Sequence, residues 1–233
     1  MVSKLLALLL FIISLRATQV AAVPYTGTGC AAVHVIAGRA STEAPGPGII
    51  GALVTQVQQQ SSQTVSTSSV DYAATLTNYA SSSSQGTAAT KTLLTNQVNR
   101  CPNQKIVLVG YSQGAHIIGD AVAGGGGGRL GARTDPVPAS ISNKVVAIVQ
   151  MGDPRRTKRA PYNLGTATGL LREGMFPRLA SQEYSATLQP RIQNYCDFGD
   201  TFCDSGLDTA VHLTYLSRYQ IPAANFILTQ IGG

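Results

Sequence analysis

Ser112 lies between two glycines in Gly110-Tyr111-Ser112-Gln113-Gly114, a G-x-S-x-G spacing that can present a serine hydroxyl as a nucleophile on a sharp strand-to-helix turn. Such a short pattern recurs by chance, so its context carries the assignment. Before it, Ile106 to Val109 is apolar and β-branched, as in a buried strand. After it, Gln113 to Ala123 carries Ile117, Ile118, Ala121 and Val122 at helical spacing. A hydroxyl placed there is a weak nucleophile until a histidine takes its proton and a carboxylate orients that histidine.

The chain has three histidines. His34 precedes the serine, in a predicted strand, and is expected to be a packed residue. His116 follows Ser112 by one helical turn with no acid between them. His212 alone satisfies the order serine, acid, histidine of hydrolases built on such a turn. Between Ser112 and His212, Asp120, Asp135, Asp153, Asp197, Asp200, Asp204, Asp208, Glu173 and Glu183 compete for the role of the acid. The stretch CDFGDTFC, residues 196 to 203, stands out because a disulfide across it would hold its carboxylates rigidly near the end of a strand. Asp197 and Asp200 are both candidates, and spacing does not choose between them. Asp204 and Asp208 read as surface or helix-capping residues.

The elements that must position these groups alternate. Ala31 to Ala37 reads as a first strand, followed by the turn-rich GRASTEAPGPG; Ile49 to Val57 fits a helix or a strand. From Gln58 to Thr90 serine and threonine dominate, which predicts surface loops with one short strand at Val70 to Ala73. Lys91 to Asn99 has helical periodicity through Leu93, Leu94 and Val98. The glycine run 124 to 128 predicts a loop, and Val145 to Met151 another buried strand. Residues 155 to 190 read as irregular. Arg191 to Tyr195 fits a last strand, and Tyr215 to Ile231 a helix interrupted by Pro222. Strands alternating with helices predict a three-layer α/β/α sandwich around a mostly parallel sheet, with right-handed crossovers placing helices on both faces.

Lys4 followed by the apolar run Leu5 to Leu15 and then small residues predicts a secretory signal over residues 1–22, too short to be a membrane span. Residues 23–233, with 44% hydrophobic and 12% charged residues across the chain, predict a single folded domain, extracellular, monomeric and without stable membrane insertion. All four cysteines lie in that portion, an even count that fits two disulfides. Of the three possible pairings we expect Cys30 with Cys101 and Cys196 with Cys203, because the second closes a short local loop. Close C-x-x-C pairs of the kind that bind zinc are absent from the sequence, so no metal is expected. The formal charge of +6 includes Lys4 and Arg16 of the signal. The cluster Arg155, Arg156, Lys158 and Arg159 reads first as a solvated loop and second as a contact for anionic polysaccharide or phospholipid. Nucleic-acid binding is disfavoured by secretion and by the lack of a recognition motif.

Together, CPNQKIVLVGYSQGA around Ser112, GRASTE after the first strand, MGDPR at 151 to 155, and YCDFGDTFC followed by VHLTY around His212 resemble the cutinase and acetylxylan esterase family, the fungal family 5 carbohydrate esterases. The resemblance runs from Cys30 to the C-terminus. It implies an α/β-hydrolase without a large lid and the same two disulfides. It also implies Ser112 as nucleophile, Asp200 as acid, His212 as base, and an oxyanion hole from the Gln113 backbone N–H and Ser41, with no cofactor. The MGDPR and YCDFGDTFC motifs look more like the acetylxylan esterase branch. The implied substrate is an ester on plant cell-wall polysaccharide, first acetyl groups on xylan and second polyester cutin. Residues 156 to 190 are where substrate-specific walls are expected. Two rivals are a non-catalytic polymer binder on the same fold, which loss of the serine, acid or base would have supported, and a lipase, which predicts an apolar lid.

Overall fold

The computed structural model describes residues 27–168 and 172–232; the predicted signal, residues 1–22, lies outside them. Six strands form one sheet: β1 (Val33–Gly38), β2 (Val65–Ser69), β3 (Lys105–Tyr111), β4 (Val145–Met151), β5 (Asn163–Leu164) and β6 (Ile192–Tyr195), in the order β2-β1-β3-β4-β6-β5. Every pairing is parallel. The helices are α1 (Gly51–Gln60), α2 (Tyr79–Arg100), α3 (Gln113–Ala123), α4 (Ala139–Ser142) and α5 (Tyr215–Ile231).

Side chains alternate across each strand, so the two faces build separate cores. Val107, Val109 and Tyr111 of β3 point to one face, where Leu53 and Val57 of α1 and Ala224 and Ile227 of α5 cover them. Ile106 and Leu108 point to the other, under Leu94 and Val98 of α2 and Ile117 and Ile118 of α3. The result is the three-layer sandwich, and α3, following the central strand β3, holds the serine turn at the middle of the sheet.

Three expectations are corrected. The strand beside β1 is Val65–Ser69, not Val70 to Ala73. Its alternate serines face His34, whose ring nitrogens lie 2.8 Å from the Ser66 and Ser68 hydroxyls. From Tyr79 onward the serine-rich segment is helix rather than loop: α2 begins there and buries Ser82, Ser83, Gly86, Thr87 and Thr90. Two of these hydroxyls close on the helix itself, Ser83 Oγ donating to the Tyr79 carbonyl at 2.6 Å and Thr90 Oγ1 to that of Gly86 at 2.7 Å. Small side chains let α2 press on α3; a Cβ on Gly86 would stand 2.9 Å from Ile117. Finally, Arg155 and Arg156 are not solvated but 2% exposed. Lys158 and Arg159 remain on the surface. The segment Ile49 to Val57 resolves as helix α1, and α5 runs through Pro222 without ending there.

Candidate active site

The turn between β3 and α3 explains both glycines of the motif. Ser112 has φ 53° and ψ −119°, a conformation that costs a non-glycine residue of order 1–3 kcal/mol and is held only by its surroundings. Its N–H donates to the Met151 carbonyl (2.8 Å) and its carbonyl accepts from the His116 N–H (3.0 Å). A Cβ on Gly110 would lie 2.5 Å from Gly114 backbone atoms, and one on Gly114 would lie 1.9 Å from the Gly38 carbonyl oxygen. Glycine is therefore required wherever α3 crosses the ends of β1 and β3.

His212 stands in a short turn before α5, and its Nδ1 is 2.8 Å from Asp200 Oδ2. Its other nitrogen, Nε2, has no hydrogen-bond partner among the described residues. Ser112 and His212 line one cleft, so the uncommitted nitrogen belongs to the site where the hydroxyl is presented. Edge-on packing against Tyr111 and close contact with Phe202, 4.4 Å between ring centres, hold the imidazole in place. Tyr111 also donates its hydroxyl to the His212 carbonyl.

Of the two finalists, the structure brings Asp200 to His212. Its Oδ2 also accepts the Tyr215 hydroxyl at 2.6 Å, and its Oδ1 accepts the N–H groups of Phe202 (2.6 Å) and Cys203 (3.0 Å). Burial alone would raise this carboxyl, but the bond and charge of His212, with Tyr215 and the Cys203 N–H, hold it below the usual carboxylate range. Asp197 instead accepts the Thr166 N–H and hydroxyl and the Tyr219 hydroxyl, and pairs with Arg218 at 2.6 Å. The structure joins Cys196 to Cys203 across this loop and Cys30 to Cys101.

Ser41 lies across the turn, its Oγ 2.9 Å from Gln113 Oε1. The Gln113 N–H, first in α3, has no carbonyl within the helix to serve and is free to meet an anion. Two residues that sequence reasoning left without a role build the loop under Ser41. Arg39 is buried and donates to the carbonyls of Glu43, Val70 and Tyr72. Glu43 accepts the Ala40 N–H at 2.6 Å and the Ile49 N–H at 2.8 Å. The other missed residue is Arg156, whose guanidinium binds the Cys203 carbonyl and Asp204 and so ties down the loop carrying Asp200. A run of basic residues gives no sign of this, because only the fold brings a carboxylate and carbonyls to meet it.

The two other histidines are engaged elsewhere. Burial, then the charge of Arg100, push the His34 ring down to about 4. His116 is buried between the Tyr79 hydroxyl (3.0 Å) and Asp120 (3.0 Å). Burial would raise Asp120, yet the charges of His116, Arg178 and Arg155 keep it far below the carboxylate range.

The cleft over Ser112 has a volume of about 670 Å³, and Ile49, Leu76, Met175, Phe176, Phe202 and Leu213 give it apolar walls. Only Met175 and Phe176 of these come from residues 156 to 190. Among the described residues no group of three or more His, Cys, Asp or Glu side chains is placed to hold a metal ion, and no helix is long and apolar enough to cross a membrane.

The family model described as Cutinase matches residues 29–231. Cutinase 11 of Verticillium dahliae is 34% identical over 210 residues, covering 87% of this chain and 70% of that protein. Acetylxylan esterase 2 of Talaromyces purpureogenus is 34% identical over 236 residues, covering 95% and 98%. The solved catalytic core domain of acetyl xylan esterase from Trichoderma reesei superposes with a TM-score of 0.78 at 35% identity, over 86% of this chain and 99% of that one.

Proposed function

The chain belongs to the cutinase family, and from that premise we propose that it is a secreted serine esterase that removes acetyl groups from xylan. The observation that carries the reading is the 2.8 Å contact of His212 Nδ1 with Asp200 Oδ2, which leaves His212 Nε2 uncommitted in the cleft of the strained Ser112.

In this reading Ser112 Oγ attacks the ester carbonyl and His212 Nε2 accepts its proton. Asp200 fixes the tautomer with Nδ1 protonated and stabilises the imidazolium that forms. The carbonyl oxygen becomes an oxyanion received by the Gln113 N–H and the Ser41 hydroxyl, which turns from Gln113 Oε1 to reach it; loss of one such donor costs about 3–4 kcal/mol. His212 then protonates the departing alcohol, leaving an acyl-enzyme. Water, deprotonated by the same histidine, repeats the sequence and releases the acid.

A second reading, hydrolysis of cutin polyester, is favoured by the open apolar cleft, which is wider than an acetyl group requires. The test compares p-nitrophenyl acetate, butyrate and hexanoate with acetate release from acetylated xylan, for wild type and Ser112→Ala. Acetyl esters and xylan cleaved by wild type alone support the first reading. Butyrate and hexanoate turned over as well as acetate support the second. A folded Ser112→Ala variant with near-wild-type turnover would overturn both.

A further inference from the structure

His116 is the one histidine beside the serine that the proposed reaction does not use, and it sits in a closed ring of contacts. Its Nε2 meets Asp120 Oδ2 at 3.0 Å, and its Nδ1 lies 3.0 Å from the Tyr79 hydroxyl. Asp120 Oδ1 in turn accepts Arg178 Nη1 at 2.8 Å and Arg155 Nε at 3.1 Å. Two residues before Arg178 the chain carries Phe176, and Phe176 stacks on Tyr79 with ring centres 5.3 Å apart and planes 21° apart. The path from Phe176 through Arg178, Asp120, His116 and Tyr79 therefore returns to Phe176.

Burying these charges is expensive, and Arg178 leaves its Nε and Nη2 without a hydrogen-bond partner among the described residues, so the ring is kept at a cost in stability. The helix itself makes room: a Cβ on Gly119 would lie 2.1 Å from Arg178 Nη2 and 2.3 Å from the Tyr184 hydroxyl. What the ring fixes is a wall of the cleft, since Tyr79 and Phe176 both line it. Tyr79 also belongs to the oxyanion side, its carbonyl 3.5 Å from Gln113 Nε2. In the reaction proposed above, the leaving alcohol collects its proton from His212, and we place the acyl chain against Tyr79 and Phe176, which line the cleft together with Ser112 and His212.

We infer that His116 is a positioning residue for acyl selectivity: through Tyr79 and Asp120 it holds the Tyr79–Phe176 wall against which acyl chains longer than acetyl pack. The inference rests on the esterase reading. An acetyl group is too short to use this wall, whereas a longer chain gains from finding it already in place.

The experiment measures kcat and KM for p-nitrophenyl acetate and hexanoate in wild type, Tyr79→Phe, His116→Asn and, as a control, Thr90→Ala. Thr90 is buried in α2 and loses a hydroxyl bond without touching the ring. Tyr79→Phe keeps the stacking face but cuts the tether, and asparagine at 116 reaches one of its two partners. We expect the hexanoate-to-acetate ratio of kcat/KM to fall at least about threefold in both tether variants, mainly through KM, a smaller effect than the roughly 10- to 200-fold a single methylene can command. The ratio should hold in Thr90→Ala. An unchanged or rising ratio in the tether variants, or the same fall in Thr90→Ala, overturns the inference while leaving the esterase reading intact. A wild type that cleaves the acetate but not the hexanoate overturns the inference and leaves the esterase reading intact; one that cleaves neither ester overturns both.

Discussion

Gly152 lies against the His212 ring so closely that a Cβ at Gly152 would come within 2.6 Å of Cε1 and 2.9 Å of Nδ1. Its φ of 64° also falls where side-chain-bearing residues are strained. Gly152→Ala therefore displaces the imidazole and also presses on the Tyr215 ring, which a Cβ there would approach to 3.1 Å. Misplacing a reacting group by about 1 Å can cost about 10²-fold. We expect kcat on p-nitrophenyl acetate to fall by about that factor with the circular dichroism spectrum preserved. Wild-type turnover in the folded variant would remove His212 as the base.

Asp200 and Asp197 are three residues apart in one loop yet serve different partners, which separates their substitutions. Asp200→Asn leaves the shape intact but takes away the carboxylate that fixes the His212 tautomer; the comparable change in serine proteases costs about 10⁴-fold in kcat. Asp197→Asn weakens the contacts to Thr166, Tyr219 and Arg218 and should act on stability, with kcat lowered less than about tenfold on the scale of that tautomer effect. The reverse ranking in steady-state kinetics would move the acid to Asp197.

The serine turn, the strands β3 and β4 and the helices α3 and α5 are legible because their signals are local: apolar runs of the right length, glycines flanking a serine, a histidine in the right order. The beginning of α2 is not, because Ser82, Ser83, Thr87 and Thr90 look like solvent-facing residues until the Ser83 and Thr90 hydroxyls are seen to close on helix carbonyls and the small side chains to admit α3. Arg155 and Arg156 mislead for the opposite reason. A basic run is ordinarily solvated, and the carboxylates that receive these two, Asp120 and Asp204, arrive from 35 and 48 residues away. The choice of Asp200 over Asp197 likewise depends on which carboxylate the loop turns toward His212, a matter of backbone path that spacing does not encode.

The two disulfides should separate stability from activity. Cys30–Cys101 has a sequence separation of 71 and Cys196–Cys203 one of 7. In the chain-entropy account these are worth about 4 and about 2–3 kcal/mol respectively. Replacing Cys30 and Cys101 by serine should thus lower Tm more than replacing Cys196 and Cys203. The kinetic order is inverted, because the Cys203 N–H is a hydrogen-bond donor to Asp200. The short-loop variant should lose kcat at temperatures where it remains folded, and the long-loop variant should keep it. Equal kcat in both would show that the bridge does not position the acid.

His34 sets a pH dependence of stability in a window above that of the buried carboxylates Asp200 and Asp120. Its ring is held near a pKa of about 4 in the fold, whereas an unfolded chain titrates it near the ordinary value of about 6.5. Between those values the unfolded state binds the extra proton, so stability rises with pH across this window. The contribution is complete above about pH 6.5, is lost as pH falls toward 4, and amounts to about 3 kcal/mol over the full span. Asp200 and Asp120, held below the carboxylate range, act in the same direction but only once pH falls into and below that range. The urea midpoint measured from pH 7 to pH 4.5 should therefore decline in the wild type and decline less in His34→Gln. Glutamine keeps a hydrogen-bonding side chain near Ser66 and Ser68 but has no proton to take up. Parallel curves for the two proteins would assign the decline to other groups.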